Sequence, residues 1–183
     1  MTSGMKYKAI FIIAIIIFAV LLVQYGCSTY SINRPGNSPA PKLDRTGSAY
    51  VCCCEDGKFR SKIYQGSGMV TAQIFRENLS KYLNKVTIGE KTETCDEAFR
   101  TALYEGHNYL ICPSLVQWED HKTEQTGIQD SITIETIVLD TLSGNQLDAV
   151  TITGKSSVVS RGWNNSQDLL ATPIQIYIDS LFQ

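Results

Sequence analysis

Hydrophobic and polar positions divide this chain into three stretches of different character. Ala9 to Val23 is an unbroken run of fifteen apolar residues behind Lys6 and Lys8. That is shorter than the ~20 residues needed to span a bilayer core, and it has the build of a secretory signal. Ser28 to Gly47 has almost no apolar periodicity and holds three of the five prolines among Asn, Ser and Gly, which predicts a flexible tether. From Ser48 onward the pattern becomes periodic. Ala49 to Cys54 is continuously apolar between two turn signals and predicts a central strand buried on both faces. Met69, Ile74, Phe75, Leu79, Tyr82 and Leu83 recur at helical spacing, with Ser67 as the expected N-cap. Val86 to Ile88 makes a short strand. Thr94 followed by Glu97 forms a capping box ahead of Ala98, Phe99, Ala102 and Leu103, and Gly106 ends that second helix.

Asn108 to Trp118 reads as a long strand in which Pro113 predicts a bulge or an exposed edge. Ile132, Ile134, Thr136 and Val138 alternate, Thr141 to Asn145 turns, and Leu147 to Thr153 returns, giving a β-hairpin. Ser166 or Asp168 caps a last helix through Leu181, with Pro173 as a place for a kink. The fold class is therefore mixed α/β: a β-α-β-α-β core, an antiparallel hairpin added to it, and a C-terminal helix. Right-handed crossovers make the first and third strands neighbours. The domain expectation is a signal peptide over 1–26, a lipid-anchored flexible tether over 27–47 and one α/β domain over 48–183.

The junction Gln24-Tyr25-Gly26-Cys27 gives the amino terminus its chemistry. Gly26 supplies a small side chain before Cys27, and the arrangement resembles the signal of a bacterial lipoprotein. Such signals usually carry Leu three residues before the cysteine and a small residue two before, so Gln24 and Tyr25 are departures. The resemblance implies that the Cys27 thiol receives a diacylglycerol and its freed amine an acyl chain such as palmitate. Several chains on one cysteine make anchoring stable where one would be marginal. Ser28 in place of Asp implies, by enteric sorting, an outer-membrane lipoprotein facing the periplasm. The alternatives are an uncleaved single-pass anchor in the inner membrane and a plain secreted protein.

Composition removes some functions. Residues 1–26 carry two lysines and no acid, so the mature chain of 157 residues has 14 basic and 18 acidic side chains, a net charge of −4. Scattered Lys and Arg on an acidic chain exclude a nucleic-acid surface. Cys52, Cys53, Cys54, Cys95 and Cys112 remain beyond Cys27. Alternation on a strand turns Cys52 and Cys54 one way and Cys53 the other, so small buried thiols are expected, mostly free, with Cys112 near Cys52 or Cys54. No Cys-x-x-Cys occurs, and three contiguous cysteines on one extended strand cannot close a tetrahedron, so no metal is expected.

Four strings carry a family resemblance: Tyr64 to Ala72, Trp118-Glu119-Asp120, Ile152 to Ser156, and Gln167 to Phe182. Their order resembles a group of small Gram-negative lipoproteins bearing the domain of unknown function DUF4823, over about Ala49 to Phe182. Element order alone adds a fainter likeness to the amino-terminal module of the translocation protein TolB. The resemblance implies a lipid-anchored envelope protein and assigns no activity.

Candidate sites are few. Gly66-Ser67-Gly68 before a helix has the look of an anion cradle, but it lacks the Lys-Ser/Thr of a P-loop, so a capped turn is expected. His107 and His121 are the two histidines, and no Gly-x-Ser-x-Gly elbow accompanies them, so no enzyme, no cofactor and no catalytic residue is expected. Trp118, with Glu119 and Asp120 at a strand end, and Trp163 in the connection to the last helix are the interaction candidates, against packing over the core rim. The expected function is a lipid-anchored, non-catalytic interaction or accessory module: Cys27 attaches it to the membrane and an envelope protein is its partner. The alternative is a small-ligand-binding protein or hydrolase using the Trp118 to Glu124 segment.

Overall fold

The computed structural model describes residues 28–119, 128–156 and 168–183. The signal, Cys27, Asp120, His121 and Trp163 lie outside them. Strands β1 (Thr29–Asn33), β2 (Ser48–Val51), β5 (Lys85–Ile88), β6 (Tyr109–Glu119), β7 (Ser131–Asp140) and β8 (Gln146–Lys155) form one sheet, and β3 (Lys58–Phe59) with β4 (Lys62–Ile63) forms a small hairpin. The helices are α1 (Ser67–Leu79), α2 (Cys95–Tyr104) and α3 (Asp168–Ser180). Sheet order is β1-β8-β7-β6-β2-β5. β2 runs parallel to both β5 and β6, and the other pairs are antiparallel. The mixed α/β class, the β2–β6 neighbours and the added hairpin hold, and β2 is flanked on both sides although it lies next to the sheet edge.

The two faces of the sheet are covered unequally. One buries Ile111, Ile132, Ile134, Val138, Val150 and Ile152 against Phe75 and Leu79 of α1 and Leu170, Ile174, Tyr177 and Ile178 of α3. The other packs Tyr50, Cys52, Leu110 and Cys112 under Ala98 and Ala102 of α2. On that second face Thr133, Glu135 and Ile137 of β7 remain half-buried or exposed. The Thr94–Glu97 capping box that opens α2 is present in both directions.

The 27–47 tether is corrected. Thr29 to Asn33 is an edge strand, pairing Thr29 with Lys155 through to Asn33 with Thr151. Beyond it Arg34 Nε donates to both carboxylate oxygens of Asp148, at 3.1 and 3.2 Å, and Arg34 Nη2 donates to Ser180. Leu43 N–H bonds the Leu181 carbonyl at 2.8 Å, and Arg45 bonds the Phe182 carbonyl. Tyr30 and Ile32 alternate with Ser31 and Asn33, a period-2 signal that the surrounding prolines and serines obscure. Buried Asp148 needs a cation, since an unpaired buried carboxylate is costly, and Arg34 supplies it. Burial and then the charge of Asp148 hold the Tyr177 hydroxyl, which also donates to that carboxylate, well above its usual range.

Three smaller corrections have local causes. β2 ends at Val51, so Cys52 to Cys54 are buried without being strand. Gly66, at φ +82°, is the N-cap of α1, and the Ser67 hydroxyl instead accepts the Gly57 N–H at 2.8 Å. Pro113 lies within β6, where the irregularity falls later, between Leu115 and Gln117. Polar groups of successive strand residues alternate sides, and Ile111 already faces β2 through its carbonyl. The missing N–H of Pro113 therefore points to the side that β2 has left and costs no ladder bond.

Candidate functional site

A groove of about 480 Å³ opens on the face that α2 only partly covers. Its walls are the chain after β2 (Cys52 and Cys54 to Asp56), the start of α2 (Glu93 to Cys95), and Cys112 to Val116 of β6 with Glu135 and Ile137 of β7. Cys95, first residue of α2, is joined to Cys112 by a disulfide with Cα atoms 5.8 Å apart. Cys112 does pack beside Cys52, as expected, but its bond is made to a helix that crosses over β6. Cys52, Cys53 and Cys54 are free and buried.

The groove's free thiols are buried and its carboxylates are exposed in different degrees. The Cys52 thiol donates to the Glu93 carbonyl at 3.4 Å, and burial, reinforced by the Glu93 charge, pushes it up to about 12. Burial and the neighbouring Cys53 push Cys54 up to about 12 as well. A nucleophile or metal ligand must be a thiolate, and at neutral pH these are thiols. Burial also raises the Glu93 carboxyl, against the hydrogen bond it accepts from the Tyr50 hydroxyl at 3.0 Å. Glu55 and Glu135 are exposed on the rim, and Lys58 makes a solvent-exposed ion pair with Glu55 at 3.2 Å. Exposed Val116 and Ile137 give the lining an apolar part. Four carboxylates against one lysine leave the groove acidic.

Asp56 answers the question of an anion cradle. Its carboxylate accepts from the Gly66 N–H at 3.0 Å and the Gly68 N–H at 2.9 Å, so the protein's own anion occupies the start of α1. Gly68 has no room for a side chain there, since a Cβ would lie 2.1 Å from the Cys54 carbonyl oxygen. His107 is buried, with Nε2 3.1 Å from Glu105 Oε2, and burial lowers its ring below the ordinary histidine value. Its Nδ1 has no hydrogen-bond partner among the described residues, which suits a neutral ring. Among the described residues no group of three His, Cys, Asp or Glu side chains is placed to hold a metal ion.

Of the interaction candidates read from the sequence, the two described ones, Trp118 and Glu119, form no exposed anchor. Trp118 is 2% exposed, pressed beneath Gly57 and beside the Tyr64 ring at 5.8 Å, so it is a core residue rather than an exposed anchor. Glu119 is half-buried and accepts from Gln117 at 2.7 Å. Asp120 and Trp163 lie outside the described residues. What the sequence reading missed is the groove itself, because Cys54, Glu93 and Glu135 are separated by some forty residues each and no local spacing links them.

The family model for the domain of unknown function DUF4823 matches residues 41–181. No curated protein matches the sequence. Among solved structures, two of the PelC dodecamer from Paraburkholderia phytofirmans are similar in fold. One, a point variant, is 13% identical with a TM-score of 0.64, covering 85% of this chain and 98% of that one. The other is 12% identical with a TM-score of 0.63, covering 85% and 97%. Lipoprotein GNA1162 from Neisseria meningitidis is 10% identical with a TM-score of 0.44, covering 74% and 96%.

Proposed function

This chain belongs to the DUF4823 family, and we propose that it is a lipid-anchored cell-envelope protein that works without catalysis, by holding an envelope partner in the acidic groove beside α2. The observation that carries the reading is the groove's make-up: an apolar lining with an acidic rim, built over protonated thiols and a closed disulfide. Such a lining suits a cationic, partly apolar segment of another protein, because opposite charge steers the encounter and apolar contact holds it. That PelC, a protein of this fold, assembles as a dodecamer supports association as a use of the module. The lipid on Cys27 and a place on the periplasmic side of the outer membrane belong to the same proposal. Their support is the short apolar run, the Gly26-Cys27 junction and Ser28.

Glu135→Lys tests the groove. Glu135 is exposed on β7, so the change should leave stability within about 0.5 kcal/mol. Crosslinking and pull-down of the full-length protein from intact membranes should then lose the principal partner. Glu77→Lys, an equal charge change at an exposed position of α1, should retain it. Equal capture by both variants would remove the groove from the account.

A further inference from the structure

Because β1 begins at Thr29, almost no slack chain separates the folded sheet from Cys27. Two peptide bonds span about 7 Å at most, whereas a free segment of twenty residues would average roughly 25 Å and stretch to about 65 Å. Five register pairs hold β1 on β8, and the Arg34–Asp148 ion pair fastens the chain just after it. Sheet register carries this position across the molecule. Thr29 lies opposite Lys155, Lys155 opposite Ser131, and Ser131 opposite Glu119, so four strands have an end in one row. With strands about 4.8 Å apart that row is about 14 Å wide, well within the footprint of the domain.

We propose that this end of the sheet is apposed to the bilayer, with Tyr30, Ile128 and Lys155 at headgroup level and the β7–β8 turn pointing away. The proposal rests on the membrane attachment at Cys27 given above. Tyr30 is half-exposed three residues from Cys27, Ile128 is 53% exposed just before β7, and Lys155 is exposed at the end of β8. A tyrosine with its ring in the interface, an aliphatic side chain beneath it and a lysine reaching for phosphate are the residue types that settle at that depth. Glu119 and Asp130 also lie at this end, but Glu119 is half-buried and Asp130 buried, so neither presents a bare anion to the membrane. β7 has ten residues at about 3.3 Å each, which places Leu142 some 30 Å further out. The groove, midway along β6 and β7 on the open face, then stands clear of the lipid and faces sideways.

The experiment is photocrosslinking in native membranes. Full-length protein carries p-benzoylphenylalanine in place of Tyr30, Ile128, Tyr104 or Leu142, one at a time, and phospholipid adducts are counted by mass spectrometry along with the state of the amino-terminal peptide. Apposition predicts adducts several times more abundant at Tyr30 and Ile128 than at Tyr104 and Leu142, which are exposed at the far end. Equal adducts at all four positions, or more at Leu142, would overturn it. An acylated Cys27 with equal adducts removes the apposition and keeps the lipid. An unmodified Cys27 with adducts confined to Tyr30 and Ile128 removes the lipid and keeps the apposition, since an uncleaved span would end at the same place.

Discussion

Trp118→Ala is expected to lower stability by about 3–5 kcal/mol, the usual cost of emptying a buried tryptophan site. The indole is 2% exposed, its Cβ and ring lie under the backbone of Gly57, and it shares the core with Tyr64 and Ile132. Cavity and lost transfer energy add here because Gly57 has no side chain with which to fill the gap. In a domain of this size each kcal/mol moves the midpoint by roughly 2–4 °C, so thermal melting should show a fall of about 10 °C. Partner capture per folded molecule should stay as it was. A normal melting temperature with lost capture would return Trp118 to the interface and contradict its placement in the core.

Loss of the Cys95–Cys112 bridge is the second large effect. The two cysteines are 17 residues apart, and closing a loop of that length restrains the unfolded chain by about 3 kcal/mol. Cys95→Ser with Cys112→Ser, or full reduction of the natural protein, should lower the denaturation midpoint accordingly. It should also loosen the start of α2, which forms one wall of the groove, so partner capture should fall with it. Alkylation of the unfolded, unreduced protein should label Cys52, Cys53 and Cys54 and spare the bridged pair. Labelling of all five, together with a midpoint indifferent to reductant, would contradict the bridge.

What the sequence made legible was the part governed by local period and by handedness. Helical spacing in α1, the Thr94–Glu97 box and the alternating hairpin each identify one element alone, and the crossover rule then sets β2 beside β6. The sequence left Trp118 between an interface and the core rim, and one structural feature decides it. From Ile111, strict alternation sends residue 118 to the open face, but the irregularity between Leu115 and Gln117 shifts the phase, so Trp118 pairs with Ile132 on the core side. β1 was hidden because its partner, β8, lies more than a hundred residues away and its own five residues are short among prolines and serines. The disulfide was missed because strand-neighbour reasoning cannot see a cysteine at the start of a helix that crosses above. The groove required tertiary contact throughout.

Lipid on Cys27, as proposed, would decide where this protein works and which of its ends meets the membrane. Mass analysis of the amino-terminal peptide from membrane-extracted, full-length protein measures it directly. The account predicts that the mature chain begins at Cys27, with diacylglycerol on the thiol and an acyl chain on the amine. A chain beginning at Met1, or a Cys27 with an unmodified thiol, would contradict it.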